Sequence, residues 1–310
     1  MDVLSELLAE LRVESTLYCR FAVAGGYGVA YPASPGVAGF HVVTEGALVL
    51  ATPDGERRAL AAGDFVVLAH GGEHRMLGSA AARAEPVAGA AARAVDGLAR
   101  VGGGGGGGAV GGGTYVCGAF HFAAAGDHPL LSALPPVVHV RGEGGAPLPW
   151  LRTHLEALAC EARSGRPGGA AMIARLSEVL FVHAIRAQLA ELPAGSRGWL
   201  GALRDPALAR VVALIHRHPE RGWTVAALAR EAGLSRSQFA ERFAATVGHP
   251  PLTYLAQWRM HRGRALLREG GLRVGEVARR VGYGSEAAFS TAFRRSAGVA
   301  PGAYRRGVAV

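Results

Sequence analysis

Lysine is absent from this 310-residue chain, and cysteine occurs only three times, at Cys19, Cys117 and Cys160. Thiols so few and so scattered exclude a disulfide scaffold and a paired CxxC metal knuckle. Charged residues make up only 18% of the chain and apolar ones 50%, which excludes a disordered polar polymer. Also missing is any charge-free apolar run of about 18 residues outside Ala/Gly-rich sequence, so no membrane-spanning helix is expected and a membrane is not an expected partner. The opening Met1-Asp2-Val3-Leu4-Ser5-Glu6 lacks the basic start of a signal peptide, and the expected compartment is the cytoplasm. At about 150 residues per domain, the length predicts two domains.

Acidic residues are scarce in the last third. From Gly201 to Val310, 18 arginines face 7 acidic residues, a net of +11, whereas Met1 to Leu200 carries 15 arginines against 17 acids, a net of −2. All the excess positive charge therefore lies at one end. Such a basic half attracts nucleic acid or an acidic membrane surface, and the motifs must choose between them. The use of arginine in place of lysine carries no mechanistic weight, because base composition alone can produce it.

The first half reads as short strands separated by turns. Phe40 to Val43 and Ala47 to Ala51 predict two short strands, Pro53-Asp54-Gly55 a hairpin turn, and Ala61 to Asp64 a second turn before the apolar run Phe65 to Leu68. This spacing predicts a small barrel or sandwich. Ala80 to Gly113 is low in complexity, with seven consecutive glycines from Gly102 to Gly108, and reads largely as a flexible insertion; its alanines favour helix in part, around Val87, Val95 and Leu98. Strand character resumes from Thr114 to Phe122, and the barrel is expected to close by Pro135 to Val140.

From Leu151 the period changes to that of a helix. Leu151, Leu155, Leu158 and Ala159 share one face, and Met172, Leu176, Val179, Leu180 and His183 another, interrupted by the breaker from Ser164 to Gly169. Such a pair can connect domains, pack on the barrel or form a homodimer, and the sequence leaves all three open. A turn from Leu192 to Ser196 precedes the basic region. The expected division is 1–200 for the barrel with its helices and 201–310 for the basic domain.

The strongest signal begins at Trp223. Thr224 is a good N-cap, Val225, Leu228 and Ala229 form an apolar face, and Gly233 ends that helix; Leu234 fills the angle and Ser235 caps the next helix, where Phe239 and Phe243 are four apart. This is the sequence form of a helix-turn-helix. It occurs twice: Val274, Val277 and Ala278 make a second apolar face, followed by Gly282, Tyr283, the cap Ser285, and Phe289 with Phe293. A long helix over Leu252 to Leu267 spans the gap. Such a spacer would hold two recognition helices on one face, able to enter major-groove segments about 34 Å apart, so one polypeptide would read an asymmetric site.

These residues resemble a known family. Trp223-Thr224-Val225, Leu228-Ala229, Ala232 to Ser237, Pro251, Tyr254-Leu255 and Trp258-Arg259-Met260 look like the first half of the AraC/XylS-type DNA-binding domain. Val277-Ala278, Gly282 to Ser285, Phe289, Phe293-Arg294-Arg295, Gly298, Pro301 and Tyr304-Arg305 resemble its second half. The resemblance covers roughly residues 206 to 306 and implies binding to double-stranded promoter DNA, with the transcription machinery as a further partner. Glu241 stands where the family commonly has arginine. A glutamate there accepts from a cytosine amino group or holds Arg242 or Arg236. Ser237, Ala240 and Glu241 in the first unit, with Glu286, Ala287 and Thr291 in the second, are the candidates for facing base edges. Arg236, Arg294, Arg295 and Arg305 are the candidates for phosphates.

In the first half, Gly63, Ala69-His70-Gly71 and His74 resemble the second cupin motif, and Gly46 the glycine closing the first. Phe40 to Val43, Glu45-Gly46, Ala62 to Asp64, His70, His74 and Cys117-Gly118 resemble the cupin-type sensory domain attached to some AraC-type regulators. The paired His-x-His and following Glu of metal-binding cupins is missing. His41 and His74 are expected inside the barrel, with His121 on the strand face of Cys117. Those three histidines would suit zinc or another borderline metal, against the alternative of ordinary hydrogen-bonded histidines. Cys19, beside Arg20, and Cys117 are candidates for oxidant sensing, against the alternative of small buried side chains; Cys160 has a helical packing role.

The expected fold is therefore a two-domain chain: an N-terminal all-β cupin-like barrel with following helices, then a C-terminal all-α domain containing two helix-turn-helix units. The expected function is a sequence-specific transcription regulator controlled through its barrel by an unknown small-molecule effector, a metal ion or thiol oxidation, with Cys19, Cys117, His41 and His74 as sensor candidates. The alternative is a cupin-like metalloenzyme with a basic helical appendage.

Overall fold

The computed structural model describes residues 4–5, 8, 13–95, 97–102, 111–122, 131, 133–143, 148–164, 166–193 and 196–307. Contacts divide the chain into two compact units: Leu11–Gly126 with Leu134–Glu191, and Leu192–Val310 joined by Met1–Glu10 and Asp127–Ala133.

The first unit is a curled ten-stranded sheet built from β1 (Val13–Ala24), β2 (Tyr27–Tyr31), β3 (Val37–Ala51), β4 (Arg57–Ala61), β5 (Phe65–Leu68), β6 (His74–Leu77), β7 (Arg83–Pro86), β8 (Leu98–Val101), β9 (Gly112–Phe122) and β10 (Val137–Val140). The main path runs β7-β2-β6-β3-β9-β1-β8; β4 and β5 also pair with β3, and β10 extends the edge of β5. β3 is one long strand where the sequence predicts two. A register shift between Val43 and Glu45 and a left-handed Gly46, at φ 71°, bend the strand without breaking it. Only glycine fits at 46, because a Cβ there would lie 2.3 Å from the Gly112 carbonyl oxygen. The bend lets the first half of β3 pair with β9 and β5 and the second half with β4 and β6. The hairpin turn at Pro53 to Gly55 and the turn before Phe65 lie where the sequence places them.

Period-two alternation sorts the strand side chains. Val43, Tyr115, Cys117, Val29 and Met76 join one buried apolar cluster inside the curl. Phe40, Phe120 and Phe122 lie on the other face, where Phe181 packs against both Phe120 and Phe122.

The Ala80 to Gly113 segment departs from its sequence reading. β7 pairs in parallel with β2 and β8 in parallel with β1, with α1 (Val87–Ala92) between them. Sheet edges supply the backbone partners, and Ala90 and Ala99 are small enough to be buried completely, so weak local preference is overridden by tertiary pairing. The helix reading was right over Val87 to Ala92, but Val95 is 72% exposed and Leu98 begins a strand. Gly103 to Gly108 lie outside the described residues.

Two helices complete this unit, α2 (Pro149–Ser164) and α3 (Gly169–Glu191), packed on each other, with α3 against β1 and β10. Of the three roles the sequence left open, packing on the barrel is therefore filled. Leu151 and Leu158 are buried as the period predicts. On α3 the buried stripe is Ser177, Leu180, Phe181, Ala184 and Ile185, whereas Met172 and Val179 are exposed. Of the predicted α3 stripe Leu180 is buried, Leu176 and His183 are half-buried, and Met172 and Val179 face outward, because the helix is apolar around most of its circumference and periodicity then does not say which face the sheet covers.

The second unit is helical: α4 (Trp199–Ala202), α5 (Pro206–Arg217), α6 (Val225–Ala232), α7 (Arg236–Val247), α8 (Pro251–Glu269), α9 (Val274–Arg280), α10 (Glu286–Ala297) and α11 (Pro301–Arg305). Leu208, Val211, Val212, Ile215, Leu228, Phe239 and Phe243 are buried around the first helix-turn-helix. A separate cluster of Met260, Leu267, Val277, Ala278, Val281, Phe289 and Phe293 forms the core of the second. No described helix is long and apolar enough to cross a membrane.

Candidate functional sites: a nucleic-acid interface and a barrel cavity

In the helical unit, local chemistry fixes both turns. The Thr224 hydroxyl accepts from the Ala227 N–H, and α6 ends at Gly233, whose φ of 67° is left-handed. The Leu234 N–H then donates to the Ala229 carbonyl, closing the helix end, and Ser235 with Gln238 forms a reciprocal capping box on α7. In the second unit Gly282 takes a φ of 86°, the Tyr283 N–H donates to the Ala278 carbonyl, and the Ser285 hydroxyl accepts from the Ala288 N–H. Both recognition helices therefore start with a capped, solvent-facing turn.

Burying Phe239, Phe243, Phe289 and Phe293 turns the opposite faces outward. Arg236, Ser237 and Glu241 are exposed on α7, with Ala240 half-buried beside them; Glu286, Ala287, Thr291, Arg294 and Arg295 are exposed on α10. Arg305 is also exposed, but its Nη2 donates to the Leu272 carbonyl at 2.6 Å. Arg242 is held by Asp205, at 2.6 Å, and not by Glu241. Asp205 is itself the N-cap of α5, so one carboxylate ties the entry of the unit to its first recognition helix.

Several arginines serve as internal clamps, which sequence reasoning missed. Arg259 donates to the Pro219 and Arg221 carbonyls and lies over the Tyr283 ring, linking the two helix-turn-helix halves. Arg264 donates to the Ser296 carbonyl and hydroxyl, and Arg268 to the Tyr304 hydroxyl. A cleft of about 460 Å³ is lined by Arg217, Arg262, Arg279 and Arg280 with Glu220 as its acid. No local pattern announces that cleft, because its residues come from the end of α5, the middle of α8 and the end of α9.

In the barrel unit, a cavity of about 300 Å³ opens beside His41 and His74. Small residues leave the space: Gly39, Gly71, Gly72, Ala88, Ala91, Gly118 and Ala119 all line it. His41 Nε2 and His74 Nε2 are 2.7 Å apart, and Tyr31 stacks on His74 at 4.7 Å. The Tyr31 hydroxyl also hydrogen-bonds to that of Tyr115 at 2.8 Å. Burial holds both histidines below the usual imidazole range, His41 most strongly, with His74 beside it adding to the effect. Burial likewise pushes the Tyr31 phenol well up, helped by Tyr115 and Cys117. Both imidazoles and the Tyr31 phenol are therefore held in their neutral forms.

The structure brings His41 and His74 together but leaves His121 apart. Cys117 is the β9 residue opposite His41, whereas His121 is opposite Val37, four residues and roughly 13 Å further along the strand. Nor do the two paired nitrogens suit a metal: two imidazoles on one tetrahedral zinc sit about 3.3 Å apart, and these are closer and bonded to each other. Among the described residues no group of three or more His, Cys, Asp and Glu side chains is placed to hold a metal ion. His70 is exposed at the surface and bonds to the Leu134 carbonyl. Cys19 is the β1 residue directly opposite Cys117. Cys117 is buried and Cys160 is exposed on α2, so Cys160 does not fill the packing role the sequence suggested.

Two capped recognition helices in a basic helical unit, preceded by a curled sheet with its own cavity, define a DNA-binding regulator with a separate cupin-like half. Residues 2–190 match the family described as Cupin, and residues 228–307 match the Helix-turn-helix domain family. A putative AraC-like transcription regulator of Streptomyces antibioticus is 37% identical over 99% of this chain and 99% of its own length. Another from Streptomyces lividans is 37% identical over 99% of this chain and 98% of its own. The DNA-binding domain of AdpA, solved in complex with a target DNA, is 38% identical over 33% of this chain and 92% of that one, with a TM-score of 0.32. The chain belongs to the AraC-like transcription regulators with an N-terminal cupin domain. It is a DNA-binding regulator and not an enzyme, since its full-length relatives are regulators, and the metalloenzyme alternative is set aside.

Proposed function

We propose that this chain is a one-component regulator in which residues 1–200 sense a signal and residues 201–310 read promoter DNA. The observation that carries the reading is the repeated, capped recognition helix, present twice in the one strongly basic part of the chain. Ser237, Ala240 and Glu241, with Glu286, Ala287 and Thr291, face base edges. Arg236, Arg294 and Arg295 contact phosphates and set register. Arg305 contributes less to DNA than its exposure suggests, because the Leu272 carbonyl already holds it. Small side chains on α10 read thymine methyls and groove shape.

Control enters through the barrel, by a small molecule in the cavity or by oxidation of Cys19 and Cys117. The uncharged His41–His74 pair beside an apolar cavity supports the first, and the opposed positions of the two cysteines support the second. Homodimer formation and contact with the transcription machinery belong to the same proposal. Genome-wide mapping of bound sites, with wild type and with the Glu286, Ala287 and Thr291 positions replaced together, tests it. Discrete promoter peaks that disappear in the replaced protein are expected. Peaks unchanged by those replacements would reject the assignment of the second recognition helix.

A further inference from the structure

The four-arginine cleft of the helical unit lies apart from both recognition helices. Its lining comes from the end of α5 and the loop after it, from α8, and from the end of α9, and includes no residue of α7 or α10. Arg217 is the last residue of α5, and Arg279 with Arg280 ends α9; all three are exposed, whereas Arg262 on α8 is half-buried. Residues far apart in sequence thus bring four arginines to one cleft.

Charge decides what such a cleft holds. Glu220 is the one acid in the lining, and it lies 3.4 Å from His218 Nδ1. The acid of α9, Glu276, is engaged by Arg273. Four arginines against one glutamate leave an excess of three positive charges. The carbonyl ends of α5 and α9 offset about half a charge each, which leaves roughly two. A compact dianion matches that excess, and the planar guanidinium fork pairs with phosphate oxygens two at a time. The volume, about 460 Å³, lies within the range of small-molecule sites and exceeds what a phosphate group alone fills. Half-buried Leu266 and the methylene stems of the arginines supply an apolar wall beside the charge.

From this juxtaposition we infer that the cleft takes a small phosphorylated molecule, its phosphate dianion held by Arg217, Arg279 and Arg280 and its body set against Leu266. The site lies wholly in the helical unit and goes beyond the proposed sensory role of the barrel, on which it does not depend. A single carboxylate brings one charge where the cleft offers about two. DNA phosphates would match the charge but leave the Leu266 wall without a partner.

Three probes test it on the full-length protein by calorimetry at about pH 8, where both phosphates are largely dianions: phenyl phosphate, inorganic phosphate and benzoate. Saturable one-to-one binding of phenyl phosphate is expected, about fivefold tighter than inorganic phosphate, with no saturation by benzoate. Arg279→Ala combined with Arg280→Ala should weaken phenyl phosphate about tenfold or more. Arg279→Lys with Arg280→Lys keeps the charge but not the fork; it covers the case in which the alanine pair does not fold, and should weaken binding about threefold. Arg210→Ala with Arg230→Ala removes two exposed arginines outside the lining and should leave phenyl phosphate binding unchanged. Equal weakening by the two alanine pairs would reduce the effect to diffuse positive charge and overturn the inference. Absence of saturable phenyl phosphate binding by wild type, or benzoate binding of equal affinity, would overturn it too. If the cleft held the DNA backbone instead, the Arg279 and Arg280 alanine pair would lower the salt slope of duplex binding by about 2. An unaltered slope is expected, and the lowered one would reassign both arginines to DNA and overturn the inference.

Discussion

Cys19 and Cys117 are opposed residues of the antiparallel β1–β9 ladder, immediately beside the register shift between Leu17 and Cys19. Opposed residues in such ladders have Cα atoms about 4.5 to 5.5 Å apart, within the span a disulfide accepts. Two thiols treated with diamide lose two hydrogens to it and form one disulfide. Treatment of the full-length protein is expected to join these two and alter promoter affinity, and Cys19→Ser should abolish the response. Complete oxidation, shown by mass, with an unchanged binding curve would eliminate the switch.

A fragment beginning at Leu192 is expected to fold and bind DNA as a monomer. The start matters, because the Gly198 N–H donates to the Thr246 carbonyl on α7 and Arg204 holds the Leu192 carbonyl, so a cut at residue 201 would remove both. With the three phosphates assigned to Arg236, Arg294 and Arg295 neutralised, affinity should fall by about 40-fold between roughly 50 and 200 mM salt. Salt-independent binding by the folded fragment would contradict the phosphate assignment.

Thr291→Glu places volume and negative charge on the exposed face of α10, and should weaken a specific promoter site far more than bulk DNA. Arg294→Ala removes a phosphate contact and should weaken both alike. Titrations of each variant against specific and bulk duplexes check the pair; matching patterns for the two variants would show that the facing assignment is wrong.

Asp205→Ala removes an N-cap and the partner of Arg242 together. A loss of about 1 to 2 kcal/mol in the stability of the helical unit is expected, most of it from the cap, since Arg242 is half-exposed and its ion pair is screened. Chemical denaturation of the Leu192 fragment measures it. Arg242→Ala alone should cost less than half as much.

His41 and His74 are held neutral in the folded barrel, so the unfolded chain binds protons that the folded chain refuses. Stability is therefore fully present above the ordinary imidazole value and is lost as pH falls below about 6.5, His41 contributing most. Calorimetric unfolding of the full-length chain on both sides of that value should show the decline. His41→Phe should make the profile shallower, and an equally steep profile in that variant would remove His41 from the account.

The helical unit was legible because its information is local. A capping serine, a left-handed glycine and phenylalanines four apart each act within one or two turns, so Thr224 to Phe243 and Gly282 to Phe293 state their geometry in sequence order. Period-two alternation likewise turned His41 and Cys117 inward on their strands. What sequence could not supply was any quantity set by a neighbour from elsewhere in the chain. Whether the alanine-rich stretch after Ala80 became strand and helix depended on the open edges of β1 and β2; which side of α3 was covered depended on Phe120 and Phe122. Arg242, Arg259 and Arg305 looked alike as arginines until Asp205, Pro219 and Leu272 took hold of them. Two of the three expected histidines met and the third did not, because alternation fixes the face of a side chain but only strand register fixes its distance along that face.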